Sequence, residues 1–222
     1  MPRGVEEAVR RVVERLRDWY SEEPWWLRER DPYRVIIGLV LANRTNYRIV
    51  RRYLPGFLSR FPSMEAVARA RIEELRDALR PFGLHGLRAR TLRELARRVQ
   101  GLGGLEEFLK LGPARARELL LGVPGVGEKT ADLLLAALFG VDVFVVDTHI
   151  LRVAKRVGLV PEGYDIYRAR RVLEPLIPLG ERLRAHLALI RLGREICRPR
   201  RPRCSECPLR DMCKYSAGVR KG

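Results

Sequence analysis

From residue 5 to residue 196 the apolar side chains return at steps of three and four, and almost nowhere at steps of two. That periodicity commits the chain to helices packed on helices. Val5, Val9, Val12, Val13, Leu16 and Trp19 set the pattern over 5–20, with Arg and Glu between them. The same spacing predicts helices over 46–60, 64–80, 86–100, 104–110, 113–121, 132–139, 148–158, 165–178 and 182–196. Breaks are expected at Pro55, Pro62, Pro81-Phe82-Gly83, Gly101–Gly104 and Leu111-Gly112-Pro113. Two β-branched runs, Val35–Ala42 and Val141–Val146, read locally as buried strands. With no other alternating segment to pair with, the first is expected to be a buried helix and the second an extended connector.

The 222 residues, 46% of them hydrophobic, are enough for a real core, and no low-complexity linker divides them. An all-α fold follows, in which any division into two domains is made by crossing chains rather than by a tether. No apolar run reaches membrane-spanning length, and the Arg- and Glu-rich start lacks the apolar core of a secretory signal. A soluble, intracellular protein with no membrane partner is expected. The net charge of +17 suits a polyanion, because basic groups gain affinity by releasing counterions condensed on phosphates. Nucleic acid is the first candidate, although a generic basic surface, or the arginine-rich composition of some thermophiles, gives the same balance.

Leu121-Gly122-Val123-Pro124-Gly125-Val126-Gly127 ends one helix and turns on glycines into the next. Glycine tolerates positive φ, and its missing side chain lets backbone N–H groups at a helix N-terminus approach a phosphate oxygen. Val123, Gly125, Val126 and Gly127 are therefore candidate DNA contacts in a helix-hairpin-helix clamp, against the alternative of an ordinary helix–helix turn. Lys129 follows at once. The chain holds 39 Arg and only five Lys, so a lysine here is a departure from its own habit. Arg could serve a phosphate equally well, but its pKa above about 12 bars it from acting as a nucleophile. A lysine in the first turn of a helix, partly buried, faces the positive dipole end, which favours the neutral amine that attacks carbon. Asp147, in Val145-Val146-Asp147-Thr148-His149, stands where the extended run becomes a helix. It reads as an N-cap, and a capped carboxylate also stabilises positive charge developing on a sugar.

All four cysteines lie in the last 26 residues, as Cys197-x6-Cys204-x2-Cys207-x5-Cys213. Clustering of this kind points to one metal site rather than to disulfides. Zinc ribbons usually carry two close pairs, whereas this quartet has one, so zinc is disfavoured and an iron–sulfur cluster is the other candidate.

Together the PGVGEKTA hairpin, the VVDTHI segment and the cysteine spacing resemble the endonuclease III family, in the helix-hairpin-helix DNA glycosylase superfamily. Gly83-Leu84-His85-Gly86-Leu87-Arg88-Ala89 is similar to that family's helix-linking loop that wedges into the duplex. The resemblance implies two interlocked helical domains: a six-helix barrel with the hairpin over 31–141, and an iron–sulfur domain from 1–30 and 142–222. It implies Lys129 and Asp147 as catalytic residues and a [4Fe–4S] cluster on Cys197, Cys204, Cys207 and Cys213. Arg198, Arg200, Arg201 and Arg203 would be phosphate contacts, with Leu84, His85, Asn43 and Arg44 as further DNA contacts; Leu84 and Asn43 are the candidates to fill the gap left by a flipped nucleotide.

The implied protein is a monomeric, cytoplasmic, nucleoid-associated glycosylase of base excision repair that also cleaves abasic sites. Its partner is double-stranded DNA with a damaged or mismatched base, and an oxidised pyrimidine is the expected substrate. Asn43 stands where relatives usually place glutamine, and Arg44-Thr45 is closer to mismatch thymine glycosylases, which leaves thymine or uracil opposite guanine as the alternative. Those relatives usually carry Tyr or Ser at the position of Lys129 and lack lyase chemistry. A noncatalytic DNA-binding iron–sulfur protein is the alternative of another class, disfavoured by the presence of both Lys129 and Asp147. A metal-dependent nuclease would need clustered carboxylates or histidines, and His85, His149 and His186 are scattered.

Overall fold

A computed structural model describes residues 3–19, 24–43 and 45–219, which form helices and connectors with no strand among them. The chain divides into two compact units, one of residues 1–23 with 142–222 and the other of residues 24–141. The second unit begins at Pro24. Helix α1 (Arg3–Leu16) belongs to the terminal unit, whereas α2 (Trp25–Arg28) packs on α3 (Pro32–Ala42). Trp25 sits so tightly over Gly38 that a Cβ there would fall 2.1 Å from its ring.

Helix α3 begins where Asp31 accepts the N–H groups of Tyr33 and Arg34 and Pro32 supplies a preset φ. The run Val35–Leu41 is buried on every side because α2, α4 (Tyr47–Arg60), α7 (His85–Gly101) and α10 (Glu128–Phe139) all pack on this one helix. A helix that is apolar all round belongs at the centre of a unit, and the β-branched run is helical as expected. Pro55 does not break α4, because Val50, Leu54, Phe57 and Leu58 bury one continuous face on both sides of it. The expected 64–80 helix divides into α5 (Met64–Arg69) and α6 (Ile72–Ala78). Ala70 and Arg71 are extended, and Glu74 Oε2 accepts the Arg71 N–H at 3.1 Å, a capping interaction that starts a new helix. A single 3-10 turn (Arg80–Phe82) leads into α7, which α5 and α6 cover; α8 (Leu105–Lys110) and α9 (Gly112–Leu121) complete the approach to α10. Ile36, Ile37, Leu75, Leu92, Leu95, Phe108, Leu120 and Leu134 fill this core with under 2% exposure, each aliphatic side chain contributing about 2 kcal/mol of burial.

In the terminal unit α11 (Thr148–Val157) and α13 (Arg182–Glu195) pack together, α1 lies against α13, and α14 (Lys214–Val219) against α11. Helix α12 (Ile166–Leu173) stops well before 178, because Pro175 cannot continue it and a 3-10 turn (Glu174–Leu176) takes over. Val9, Val12, Leu16, Phe144, Ile150, Val153, Leu189 and Leu192 form the core of this unit. Among the described residues no helix is long and apolar enough to cross a membrane.

Candidate active site

The hairpin is α9, a turn over 122–127, and α10. Val123 donates its N–H to Leu120 O at 3.1 Å and Val126 to Val123 O at 3.0 Å, while both side chains are buried. These two valines pin the turn from inside, and their amides close it. Gly125 and Gly127 are different. Gly125 has φ +91, and a Cβ there would lie 2.3 Å from Thr91 Oγ1. Gly127 is the N-cap of α10, with nothing within 4 Å of the position a Cβ would take. Thr91, on α7, donates to Pro124 O at 2.8 Å and so locks the turn from a distant part of the sequence. Arg117 on α9 pairs at 3.0 Å with the buried Asp132 on α10 and ties the two arms together. Neither Thr91 nor Asp132 is singled out by sequence, because each matters only through a partner brought up by the fold. Gly125→Ala should cost about 1–3 kcal/mol, since left-handed strain and a hydrogen-bonded neighbour act together. In a chain of this size the Tm should fall by roughly 2–10 °C. A melting curve unchanged from wild type would contradict that account.

Lys129 stands in the first turn of α10 and is half-buried. Asp147 belongs to the other unit, where it caps α11. Its Oδ1 accepts the N–H groups of His149 and Ile150, both at 2.9 Å, and the residue is 7% exposed. The connector leading to it contains neither helix nor strand and is held at three points. Asp142 accepts the N–H groups of Gly180 (2.6 Å) and Leu183 (2.9 Å) at the start of α13, Glu174 Oε1 accepts from Phe144 N at 3.4 Å, and His186 Nδ1 lies 2.6 Å from Val145 O. The connector's own Asp142 and two side chains from outside it, Glu174 and His186, thus fix the chain two to five residues before Asp147.

Leu84 is 52% exposed and has φ +49, a left-handed backbone that L side chains rarely adopt; Gly83 beside it has φ +69. His85, the first residue of α7, is exposed, and so is Asn43, the C-cap of α3. Arg44 lies outside the described residues.

None of the four cysteines is in a disulfide; all are half-buried and line one cavity together with Arg156, Ile196, Pro202 and Tyr215. Four thiols around one space are a donor set that fits an iron–sulfur cluster. Burial pushes the Cys207 thiol up to about 11, and burial with the neighbouring Cys197 and Cys213 raises Cys204, so a cationic iron core is what would favour the thiolates. Arg156 reaches the same space, donating to Cys197 Sγ at 3.4 Å and to Arg198 O at 2.7 Å. Arg198, Arg200, Arg201 and Arg203 are all exposed in the loop. Arg198 donates to Glu195 O at 3.0 Å, and Arg203 is paired with Glu206, which lowers its availability for a phosphate.

Residues 37–176 match the HhH-GPD superfamily of base excision DNA repair proteins. This chain belongs to that superfamily. Residues 197–213 of this HhH-GPD protein match the iron–sulfur binding domain of endonuclease III. Its relatives include endonuclease III of Bacillus subtilis, 27% identical over 91% of this chain and 90% of the relative. Endonuclease III of Thermotoga maritima is 30% identical, covering 98% and 96%, and thymine-DNA glycosylase of Aeropyrum pernix is 31% identical, covering 97% of each. Among solved structures, a non-covalent endonuclease III–DNA complex aligns with a TM-score of 0.86 at 25% identity, over 98% of this chain and 99% of that one. A thermostable thymine-DNA glycosylase aligns with a TM-score of 0.80 at 26% identity, over 96% and 98%. The protein is an endonuclease III-like HhH-GPD glycosylase of base excision repair, with the all-α fold of endonuclease III and a [4Fe–4S] cluster motif in its cysteine loop.

Proposed function

We propose that this HhH-GPD protein is a bifunctional enzyme, a glycosylase and abasic-site lyase that excises oxidised pyrimidines from double-stranded DNA. The observation that carries the reading is Lys129: a half-buried lysine in the first turn of α10, directly after the hairpin, in a chain that otherwise uses arginine almost throughout. Its amine attacks C1′ of the deoxyribose, forming a C–N bond as the glycosidic bond breaks and the base leaves. The nitrogen lone pair then opens the sugar ring, the C1′–O4′ bond breaking and O4′ taking the proton that the amine gives up, to leave a C1′ iminium; this acidifies C2′, and loss of a C2′ proton expels the 3′ phosphate by β-elimination. Asp147, a carboxylate cap that accepts two backbone N–H groups, stabilises the positive charge on the sugar. Gly125 and Gly127 bring backbone to a phosphate, and exposed Arg198, Arg200, Arg201 and Arg203 add attraction to the strand. Leu84, with the adjacent His85 and with Asn43 of the same unit, enters the duplex where the nucleotide leaves. When bound, the cluster orders the 197–213 loop and supplies no hydrolytic chemistry. The protein acts as a monomer, at the DNA inside the cell.

A second reading, removal of thymine or uracil opposite guanine, is supported by the Aeropyrum pernix relative and by the Asn43-Arg44-Thr45 segment. Duplexes carrying an oxidised pyrimidine, T opposite G or U opposite G separate the two. The oxidised pyrimidine should be excised fastest, and its strand should be nicked without added alkali. Nicking that needs alkali on every duplex would overturn the lyase reading, and fastest excision from the G-paired duplexes would replace the first substrate with the second.

A further inference from the structure

Arg88 is 5% exposed, and all five of its guanidinium N–H donors find an oxygen. Nε donates to Gly83 O at 2.8 Å. One terminal nitrogen donates to Val40 O at 3.2 Å and Leu41 O at 2.8 Å, and the other to Asn43 O at 2.7 Å and to Thr45 Oγ1. Thr45 Oγ1 in turn donates to Phe82 O at 3.1 Å. Two of the carbonyls belong to the last turn of α3, where a helix has no internal donors left and its dipole favours a cation. None of the five oxygens is a carboxylate, and burial holds the guanidinium below its ordinary range. A buried cation spent wholly on neutral oxygens is an expensive way to pack a core, and a leucine or methionine would fill the space without that cost. What the guanidinium does that no apolar side chain could do is join two loops. One, between α3 and α4, begins at Asn43; the other contains Gly83 and Leu84, both with positive φ.

We infer that Arg88 is a positioning residue that, with Thr45, fixes the Asn43 loop and the Leu84 loop in one register, so that both enter the duplex as a single rigid wedge. The inference rests on the proposed role of Leu84 and Asn43 in the duplex. Arg88 itself touches no reacting atom. Lysine keeps the charge but has three donors on a point and cannot span five acceptors. Valine at 45 keeps the shape of threonine and removes the bridging hydroxyl.

The test compares single-turnover base excision from a lesion in fully paired duplex with excision of the same lesion inside an unpaired bubble, where no wedge is needed. Melting curves run alongside. Arg88→Lys and Thr45→Val should slow the paired substrate by roughly 10- to 100-fold, the scale expected for misplacement by about an ångström, with less than about threefold on the bubble. Leu84→Ala should show the same selectivity. If Leu84→Ala is selective for the paired duplex but Arg88→Lys and Thr45→Val slow both substrates equally, or neither, Arg88 is only a structural residue and the inference is overturned while the proposed function stands. If Leu84→Ala shows no selectivity, the wedge itself is wrong and the inference falls with it. Should Arg88→Lys fail to fold, the Thr45→Val ratio decides the matter.

Discussion

Lys129→Ala will give no borohydride-reducible adduct with abasic-site DNA, and its strand cleavage will fall on the order of 1000-fold, about 4 kcal/mol of lost barrier reduction. Trapping reports the covalent C1′–N bond itself, so it separates a nucleophile from a residue that merely attracts the strand. Thr91, the Val123 and Val126 amides and the Arg117–Asp132 pair all brace the hairpin. DNA binding by fluorescence anisotropy should therefore stay within a few-fold of wild type, the loss of one cation being small beside a net charge of +17. An adduct of wild-type yield from Lys129→Ala would remove Lys129 as the Schiff-base residue. Loss of the adduct together with complete loss of binding would show that Lys129 serves the phosphate instead.

Asp147 presents a harder case, because its visible role is structural: Oδ1 accepts two amide N–H groups at the start of α11. Two substitutions separate the cap from the charge. Asparagine is as good an N-cap as aspartate, so Asp147→Asn should melt within about 2 °C of wild type yet excise the base about 100- to 1000-fold more slowly, since it removes the negative charge proposed to stabilise a developing cation. Asp147→Ala should be equally slow and in addition lose about 1 kcal/mol of stability with the cap. Single-turnover rates and thermal melts on the same preparations read both quantities. Wild-type excision by Asp147→Asn would reduce the residue to a helix cap.

The contrast between these two residues reflects what kind of information a sequence holds. Lys129 is conspicuous because the chain uses so few lysines, and the cysteine quartet is conspicuous because its spacing is local. Asp147 reads as a cap from its neighbours alone; only its place in an endonuclease III-like segment suggests more. Helix limits were legible where a turn is made by adjacent residues, as at Gly112 or Gly140, and were misjudged where packing overrides a local signal. Pro55 stays inside α4 because the helix buries a face on both sides of it, whereas the 64–80 segment divides at Ala70 and Arg71 around a capping interaction. Within the hairpin the turn was recognisable, whereas the hydrogen bonds by which the Val123 and Val126 amides close it were not.

What the sequence by itself determined was the helical class, the hairpin with its lysine and the cluster loop, all of them patterns contained in a few dozen adjacent residues. What only the tertiary structure decided was how those parts are held. Arg88 meets Val40 O, Leu41 O and Asn43 O more than forty residues away, Thr91 closes on Pro124 O, and His186 fixes Val145 O. The acceptor in each of these contacts is a backbone carbonyl, which every residue possesses and which leaves no mark on the choice of amino acid. The side chain is visible in the sequence and its partner is not, so such contacts exist for the reader only once the chain is folded.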